Sequence, residues 1–183
     1  MSTQTHRLTY EEYLKTPEIK ARFDIVDGVM TIAPTPTVAH QRILGKLFSK
    51  LHQFVSGQQL GEVLFAPVDV IIRREPLRTR QPDLLFVTNE HASILGDQVE
   101  GPPDLVVEIL SPSNTRSDLE AKLSDYATLG VGECWLVSPE ARSVEILGLT
   151  EGVWVRFGIS GLGEQVRSRV LPELDLAVVQ LFE

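Results

Sequence analysis

The sequence predicts an α/β fold in which helices flank a mixed β-sheet that carries extra β-hairpins. Predicted elements follow the order helix, strands, helix, strands, and the central strands are strongly apolar, as in sheets covered on both faces. The 183 residues are 43% hydrophobic and 23% charged, which are ordinary globular proportions and exclude disordered and fibrous classes. This length predicts a single domain over residues 1–183.

The N-terminal part predicts a short helix and a hairpin. Thr9-Tyr10-Glu11-Glu12 has the form of a capping box at a helix start, and the helix is expected to end near Pro17. Phe23 to Asp27 and Val29 to Ala33 are expected to pair as strands, because Asp27-Gly28 is a typical hairpin turn.

A long helix and three strands are predicted next. The helix runs from about Val38 to Val55, follows the stiff connector Pro34-Thr35-Pro36-Thr37, and is closed by Gly57. Its apolar residues recur at helical spacing: Ile43, Leu44, Leu47, Phe48, Leu51, Phe54 and Val55. The predicted strands are Val63 to Ile72, Pro82 to Val87 and Asp104 to Leu110.

The C-terminal part predicts a second main helix and a group of strands. The helix spans Ser117 to Leu129 and is stopped by Gly130. The strands that follow are Glu133 to Ser138, Ser143 to Leu149 and Gly152 to Phe157, with Thr150-Glu151 as the last turn. The tail, Gln165 to Glu183, is expected to form a strand and then a short terminal element.

Composition and charge exclude several classes of protein. No stretch approaches the roughly 20 apolar residues of a membrane span, and Met1 to Tyr13 lacks the apolar core of a secretory signal. A lone Cys134 excludes an internal disulfide and a cysteine-rich zinc site. The net charge of -8 argues against non-specific nucleic-acid coating, so any contact with a polyanion is expected to be local or metal-assisted. The expected location is the cytoplasm.

Four polar residues stand where the pattern predicts apolar ones: Asp83, Glu108, Lys122 and His40. Glu108 is the strongest case, because a carboxylate inside a strand buried on both faces loses its hydration. Each residue also has an ordinary structural explanation. These are a strand-entry turn for Asp83, a sheet end open to solvent for Glu108, snorkelling of the Lys122 stem, and a hydrogen bond at the helix start for His40.

Together, the two acids and the lysine predict a metal-dependent reaction centre. Asp83 and Glu108 lie 25 positions apart on strands expected to be neighbours. Lys122 lies on the following helix, three positions after Leu119 and four before Tyr126, on the face turned to the sheet. Two carboxylates suit a hard divalent cation such as Mg²⁺ or Mn²⁺, and a nearby ammonium can orient the water that attacks a phosphodiester.

These residues resemble the motif of the PD-(D/E)XK nuclease superfamily, which here is Pro82-Asp83 followed by Glu108. A longer run is similar to the Uma-two family, a branch assigned as restriction-type endonucleases and formerly filed as a domain of unknown function. It comprises Pro103-Asp104-Leu105-Val106-Val107-Glu108-Ile109-Leu110-Ser111-Pro112-Ser113, then Arg116, Asp118, Lys122, Tyr126 and Gly130-Val131 through Trp135-Leu136-Val137. The early part also fits, in Leu8-Thr9-x-x-Glu12-Tyr13, Asp24-x-x-Asp27-Gly28 and His40.

The resemblance implies a restriction-endonuclease-like fold and a metal-dependent endodeoxyribonuclease with DNA as substrate. It implies that Asp83 and Glu108 bind Mg²⁺ or Mn²⁺. Lys122 is then the catalytic lysine, migrated from the position that Leu110 occupies in this chain. Restriction-type folds often act as dimers, because two sites are needed to cut two strands, so a homodimer is a candidate assembly. Secondary site candidates are His40 and Asp24.

Other interpretations stay open. The acidic net charge, and Asp24 where the branch generally has Glu, favour a catalytically silent nuclease-fold binding or scaffold protein. A third alternative is a nuclease-fold enzyme that acts on RNA or another phosphodiester. A basic segment between two strands is a candidate for contacts with phosphates, with a solvated hairpin turn as its alternative: Arg73, Arg74, Arg78 and Arg80, with Arg116 as a further candidate.

Overall fold

A computed structural model describes residues 6–17, 19, 21–112 and 115–183. Met1 to Thr5 of the N-terminal segment and Ser113 of the family motif lie outside these described residues. The helices are α1 (Tyr10–Leu14), α2 (Val38–Gly57), α3 (Arg116–Leu129) and α4 (Val179–Phe182). The strands are β1 (Phe23–Val26), β2 (Val29–Ile32), β3 (Gly61–Phe65), β4 (Val70–Arg73), β5 (Arg78–Arg80), β6 (Leu84–Thr88), β7 (Leu105–Ile109), β8 (Glu133–Ser138), β9 (Ser143–Thr150) and β10 (Val153–Ser160).

The strands of the described ranges form two sheets, which confirms the predicted α/β class. The larger sheet has the order β10-β9-β8-β7-β6-β3, and the smaller one β2-β1-β5-β4. In the larger sheet β7 and β8 are parallel, whereas the other neighbouring strands are antiparallel. Parallel neighbours need a crossover connection, and α3 supplies it. The larger sheet is therefore mixed, as predicted.

Helices α2 and α3 cover opposite faces of the larger sheet. Because side chains alternate between the two faces along a strand, Val107 joins the core on the α2 side, together with Leu47. Val106 joins the core on the α3 side, together with Tyr126. The same alternation turns Glu108 toward α3.

The predicted helix ends agree closely with the structure. Thr9 caps α1, and its backbone N–H donates to the Glu12 carboxylate at 2.9 Å, so the capping box is confirmed. Gly130 ends α3 in the left-handed region at a φ of 95°, which glycine adopts without a Cβ clash. Helix α2 runs through Gly57, slightly beyond the predicted end at Val55. No helix in the described ranges has the length and hydrophobicity that crossing a bilayer requires.

Two strand predictions are wrong. Val63 to Ile72 is not one strand, because β3 belongs to the larger sheet and β4 to the smaller one. Pro67 lies between them and donates no backbone hydrogen bond, so a continuous ladder does not pass through it. The strand predicted in the tail is also absent from the described structure, because residues 165–183 make only an isolated bridge between Gln165 and Ala177 before the short helix α4. The apolar residues of the tail, such as Leu171, are buried in the core on the α2 side without pairing in a ladder.

Candidate active site

Asp83 and Glu108 lie opposite each other on neighbouring segments. Strands β6 and β7 are antiparallel, with Leu84 opposite Val107, so the same register places Asp83, the residue before β6, opposite Glu108. Residues that are directly opposite point to the same face of a sheet. Both side chains are buried, since only 1% of Asp83 and 5% of Glu108 is exposed. The strand end at Glu108 is therefore closed to solvent.

Three donors surround the Asp83 carboxylate. The Arg22 guanidinium pairs with Oδ1, His40 Nε2 lies 3.3 Å from the same oxygen, and the Ile109 N–H donates to Oδ2 at 2.7 Å. Burial alone would raise the pKa of Asp83. The hydrogen bond from His40 and the charge of Arg22 outweigh burial and lower this pKa below its ordinary value. Asp83 is therefore ionised at neutral pH.

Helix α3 supplies both donors to Glu108. Lys122 Nζ donates to Oε2 at 2.8 Å, and the Tyr126 hydroxyl donates to Oε1 at 2.5 Å. Burial would lower the pKa of Lys122, but the charges of Glu108 and Asp24 raise it above its ordinary value. Burial and the Glu108 carboxylate raise the pKa of Tyr126 well above its ordinary value. Lys122 is thus a charged ammonium directed at the carboxylate and not at solvent.

Asp24 reaches the site from the smaller sheet. It lies on β1, where its Oδ1 accepts from the Gln81 N–H at 3.1 Å and its Oδ2 accepts from Arg80 Nη1 at 3.0 Å. The Asp24 charge also acts on Lys122 and Tyr126, so this carboxylate belongs to the same electrostatic environment as Glu108. Within the described part of the chain, neither Asp83 nor Glu108 shares a hydrogen-bond donor with Asp24.

Three of the four arginines predicted to form a basic loop lie in strands of the smaller sheet, and Arg74 lies in the turn between β4 and β5. Arg78 and Arg80 belong to β5, which pairs with β1 and β4, so their placement in a loop is wrong. Arg80 is 6% exposed, with Nε 2.7 Å from Asp125 Oδ2, and Arg78 Nη1 lies 2.7 Å from Asp125 Oδ1. Because the Asp125 carboxylate pairs with both guanidinium groups, these two arginines can lie in a strand of the sheet. Arg116 lies exposed at the start of α3 and pairs with Glu120 at 2.8 Å.

Two residues of the site were not predicted from the sequence. Arg22 contacts Asp83 across 61 positions of the chain, and it precedes β1 without any motif or periodic signal that marks it. Asp125 is 4% exposed and lies three positions after Lys122 on α3. Helical spacing from Lys122 is a signal that could have identified Asp125.

The carboxylate pair offers the hard oxygen ligands that Mg²⁺ and Mn²⁺ prefer, but each of its oxygens already accepts from a protein group. No group of three or more His, Cys, Asp and Glu side chains in the described part of the chain is arranged to hold a metal ion. The donor chemistry of Asp83 and Glu108 therefore fits a divalent cation that displaces the Arg22 guanidinium from Asp83 and shares Glu108 with the Lys122 ammonium.

Comparison with known proteins identifies the family of the chain and supports its fold. A crystal structure of "a putative nuclease belonging to DUF820" from Anabaena variabilis ATCC 29413 is similar at a TM-score of 0.76 and 20% sequence identity. The similarity covers 96% of this chain and 97% of that one, and at this identity it shows the fold alone. No curated protein matches the chain. A family profile described as "Uma2: Putative restriction endonuclease" matches residues 10–179, so this chain belongs to the Uma2 family of restriction-endonuclease-like proteins.

Proposed function

We propose that this protein is a metal-dependent endonuclease that hydrolyses DNA phosphodiester bonds. In this proposal Asp83 and Glu108 hold Mg²⁺ or Mn²⁺, and Lys122 positions the attacking water. The observation that carries the proposal is the buried cross-strand pair of carboxylates with the Lys122 ammonium 2.8 Å from Glu108. Membership of the Uma2 family supports the reaction class.

The protonation states of the site define what each residue can do. A divalent cation, when bound, supplies positive charge for the transition state of the phosphodiester. Lys122 stays protonated, so it orients a water by donating hydrogen bonds and does not remove its proton. Tyr126 keeps Glu108 in one orientation through the 2.5 Å hydrogen bond. His40 orients Asp83, and its buried Nδ1 has no partner in the described part of the chain.

Arg22 makes metal binding an exchange of cations. A guanidinium and a divalent cation on the same Asp83 oxygen would repel each other, so one must leave before the other binds. The Arg22 side chain is 19% exposed, which gives its guanidinium a route toward solvent. Asp24 remains a secondary candidate ligand, because its Oδ2 is engaged by Arg80.

Conservative substitutions test these roles. We expect Asp83→Asn and Glu108→Gln each to abolish Mg²⁺-dependent nicking of supercoiled plasmid DNA, and Lys122→Met to reduce it about 100-fold or more. Glu120→Gln is the matched control, since Glu120 lies on the same helix but is exposed and pairs only with Arg116 in the described structure. Undiminished cleavage by both carboxylate variants would refute the assignment. Cleavage of RNA alone would change the substrate class and leave the roles in place.

A catalytically silent binding or scaffold protein is the second candidate, and one observation favours it. The charges of Asp83 and Glu108 are already balanced by Arg22 and Lys122, and their oxygens are satisfied without a metal. Titration with Mn²⁺ by calorimetry separates the two candidates. Binding that disappears in Glu108→Gln supports the nuclease, whereas no binding at millimolar Mn²⁺ supports the silent protein.

A further inference from the structure

Helix α2 is positively charged in an otherwise acidic protein. Its 20 residues contain three of the chain's 17 Lys and Arg residues and none of its 25 Asp and Glu residues. The chain as a whole has a net charge of -8. The three cations are Arg42, Lys46 and Lys50, which we call the basic strip.

The basic strip lies along one flank of α2. Residues four positions apart on a helix are surface neighbours, so Arg42, Lys46 and Lys50 form a continuous row. Arg42 is exposed, and the two lysines are half-buried, with their aliphatic stems along the helix surface. The strip lines a surface groove of about 390 Å³ together with small and polar neighbours that include Gly45, Ser49 and, from α4, Gln180.

The cations of the basic strip are not neutralised. Among the described residues, no ion pair or side-chain hydrogen bond engages Arg42, Lys46 or Lys50. Arg78 and Arg80 differ in this respect, because the Asp125 carboxylate holds both of them. An unpaired surface cation can bind a phosphate without first breaking an internal ion pair.

The basic strip begins at the end of α2 that carries His40. Two helix positions correspond to a turn of about 200°, so exposed Arg42 lies on the outer flank of α2 and buried His40 on its inner side. Arg42 follows His40 by two positions, which is at most about 7 Å along the chain, and His40 Nε2 lies 3.3 Å from Asp83 Oδ1. From Arg42 to Lys50 the helix rises about 12 Å. One strand of a duplex presents roughly three or four phosphates over that length of axis.

We propose that the basic strip of α2 binds the phosphate backbone of the nucleic-acid substrate. This inference rests on the proposed function, because a phosphodiester must reach Asp83 and Glu108. It assigns backbone binding to α2, in place of Arg78 and Arg80, whose guanidinium groups are held within the protein. Such contacts position a substrate and do not read its sequence.

The test measures DNA binding under conditions in which a metal-dependent enzyme cannot cleave. A fluorescein-labelled 20-base-pair duplex is titrated with protein in EDTA, and fluorescence anisotropy is followed from 50 to 200 mM NaCl. The variant replaces all three residues of the strip by Gln. A matched control replaces Arg7, Lys15 and Arg167 by Gln, because these cations are exposed and, like those of the strip, have no ion pair in the described structure. Both variants therefore change the net charge equally.

We expect the control to bind like the wild type and the strip variant to bind at least 10-fold more weakly at 50 mM NaCl. Three phosphate contacts contribute about a 40-fold loss of affinity between 50 and 200 mM salt, so the strip variant should lack this part of the salt dependence. Equal losses in the two variants, or no loss in either, would overturn the inference.

Two further outcomes separate this inference from the proposed function. If the wild type nicks plasmid DNA and Asp83→Asn does not, while the strip variant keeps full affinity, the inference fails and the nuclease assignment stands. If binding depends on the strip but no condition gives cleavage, the nuclease assignment fails and the binding surface stands. Binding to phosphatidylserine vesicles without binding to the duplex overturns the inference, because the strip is then a membrane surface.

Discussion

Replacing Arg22 by methionine removes the cation that pairs with Asp83 and keeps an unbranched stem in its place. In the absence of metal, the Asp83 carboxylate, which is 1% exposed in the wild type, then retains only His40 and the Ile109 N–H as donors among the described residues. Removing one partner of a buried ion pair costs about 3–5 kcal/mol. Because the Arg22 side chain is 19% exposed, we expect the lower end of that range, about 3 kcal/mol. For a chain of this size, that loss lowers the Tm by about 6–12 °C.

The same substitution should strengthen metal binding. In the wild type a divalent cation must displace a charged hydrogen bond, which contributes about 1.5–3 kcal/mol. Since 1.4 kcal/mol is a factor of ten, Arg22→Met should bind Mn²⁺ about 10- to 100-fold more tightly than the wild type. At a single Mn²⁺ concentration equal to 100 times the Kd of the variant, binding adds about 2.7 kcal/mol to the stability of the variant and less to that of the wild type. The variant should therefore regain most of its lost Tm when Mn²⁺ is added.

Calorimetric titration with Mn²⁺ and thermal unfolding with and without Mn²⁺ measure both effects. Arg156→Met is the control, because Arg156 is 62% exposed and pairs with Glu145 on the neighbouring strand. The reasoning is refuted if Arg22→Met binds Mn²⁺ no more tightly than the wild type, or if Mn²⁺ raises the Tm of both proteins equally. Either result would mean that Arg22 does not compete with a metal for Asp83.

Two further predictions concern the stability of the fold. Asp125→Asn leaves the Arg80 guanidinium, which is 6% exposed, with Asp24 as its remaining carboxylate. We therefore expect the free energy of unfolding, measured with urea, to fall by about 3 kcal/mol. A fall of less than about 1 kcal/mol would contradict the assignment of a buried ion pair. Burial and the hydrogen bond to Asp69 raise the pKa of Tyr13. A raised pKa adds stability that is present below the unfolded value, about 10, and is lost as the pH rises through the folded value. Tyr13→Phe should therefore cost about 1 kcal/mol at neutral pH and flatten the decline of Tm between pH 9 and 11, whereas parallel Tm curves would speak against the assignment.

Several features of this protein were determined by short-range patterns that the sequence displays directly. The capping box at Thr9, the hairpin turn at Asp27-Gly28 and the glycine stop at Gly130 each depend on residues within a few positions of one another. Helical spacing alone placed Lys122 on the face of α3 that meets the sheet. The anomaly of Glu108 in an apolar strand indicated a buried charged group, and the structure places Glu108 in a buried cluster with Lys122 and Tyr126.

The tertiary structure alone decided how the charges are partnered. Arg22 meets Asp83 across 61 positions, and Arg80 meets Asp125 across 45, so no local pattern contains these pairs. The sequence also did not show that β3 and β4 belong to different sheets, since both lie within the apolar run from Val63 to Ile72. Periodicity indicates a strand but does not say which other strand it pairs with. Local propensity acts over one or two turns of chain, whereas an ion pair requires only that two charges be close in space. The sequence could therefore single out two acids and a lysine as candidates, but only the packing of two sheets against α3 shows which cations neutralise the acids.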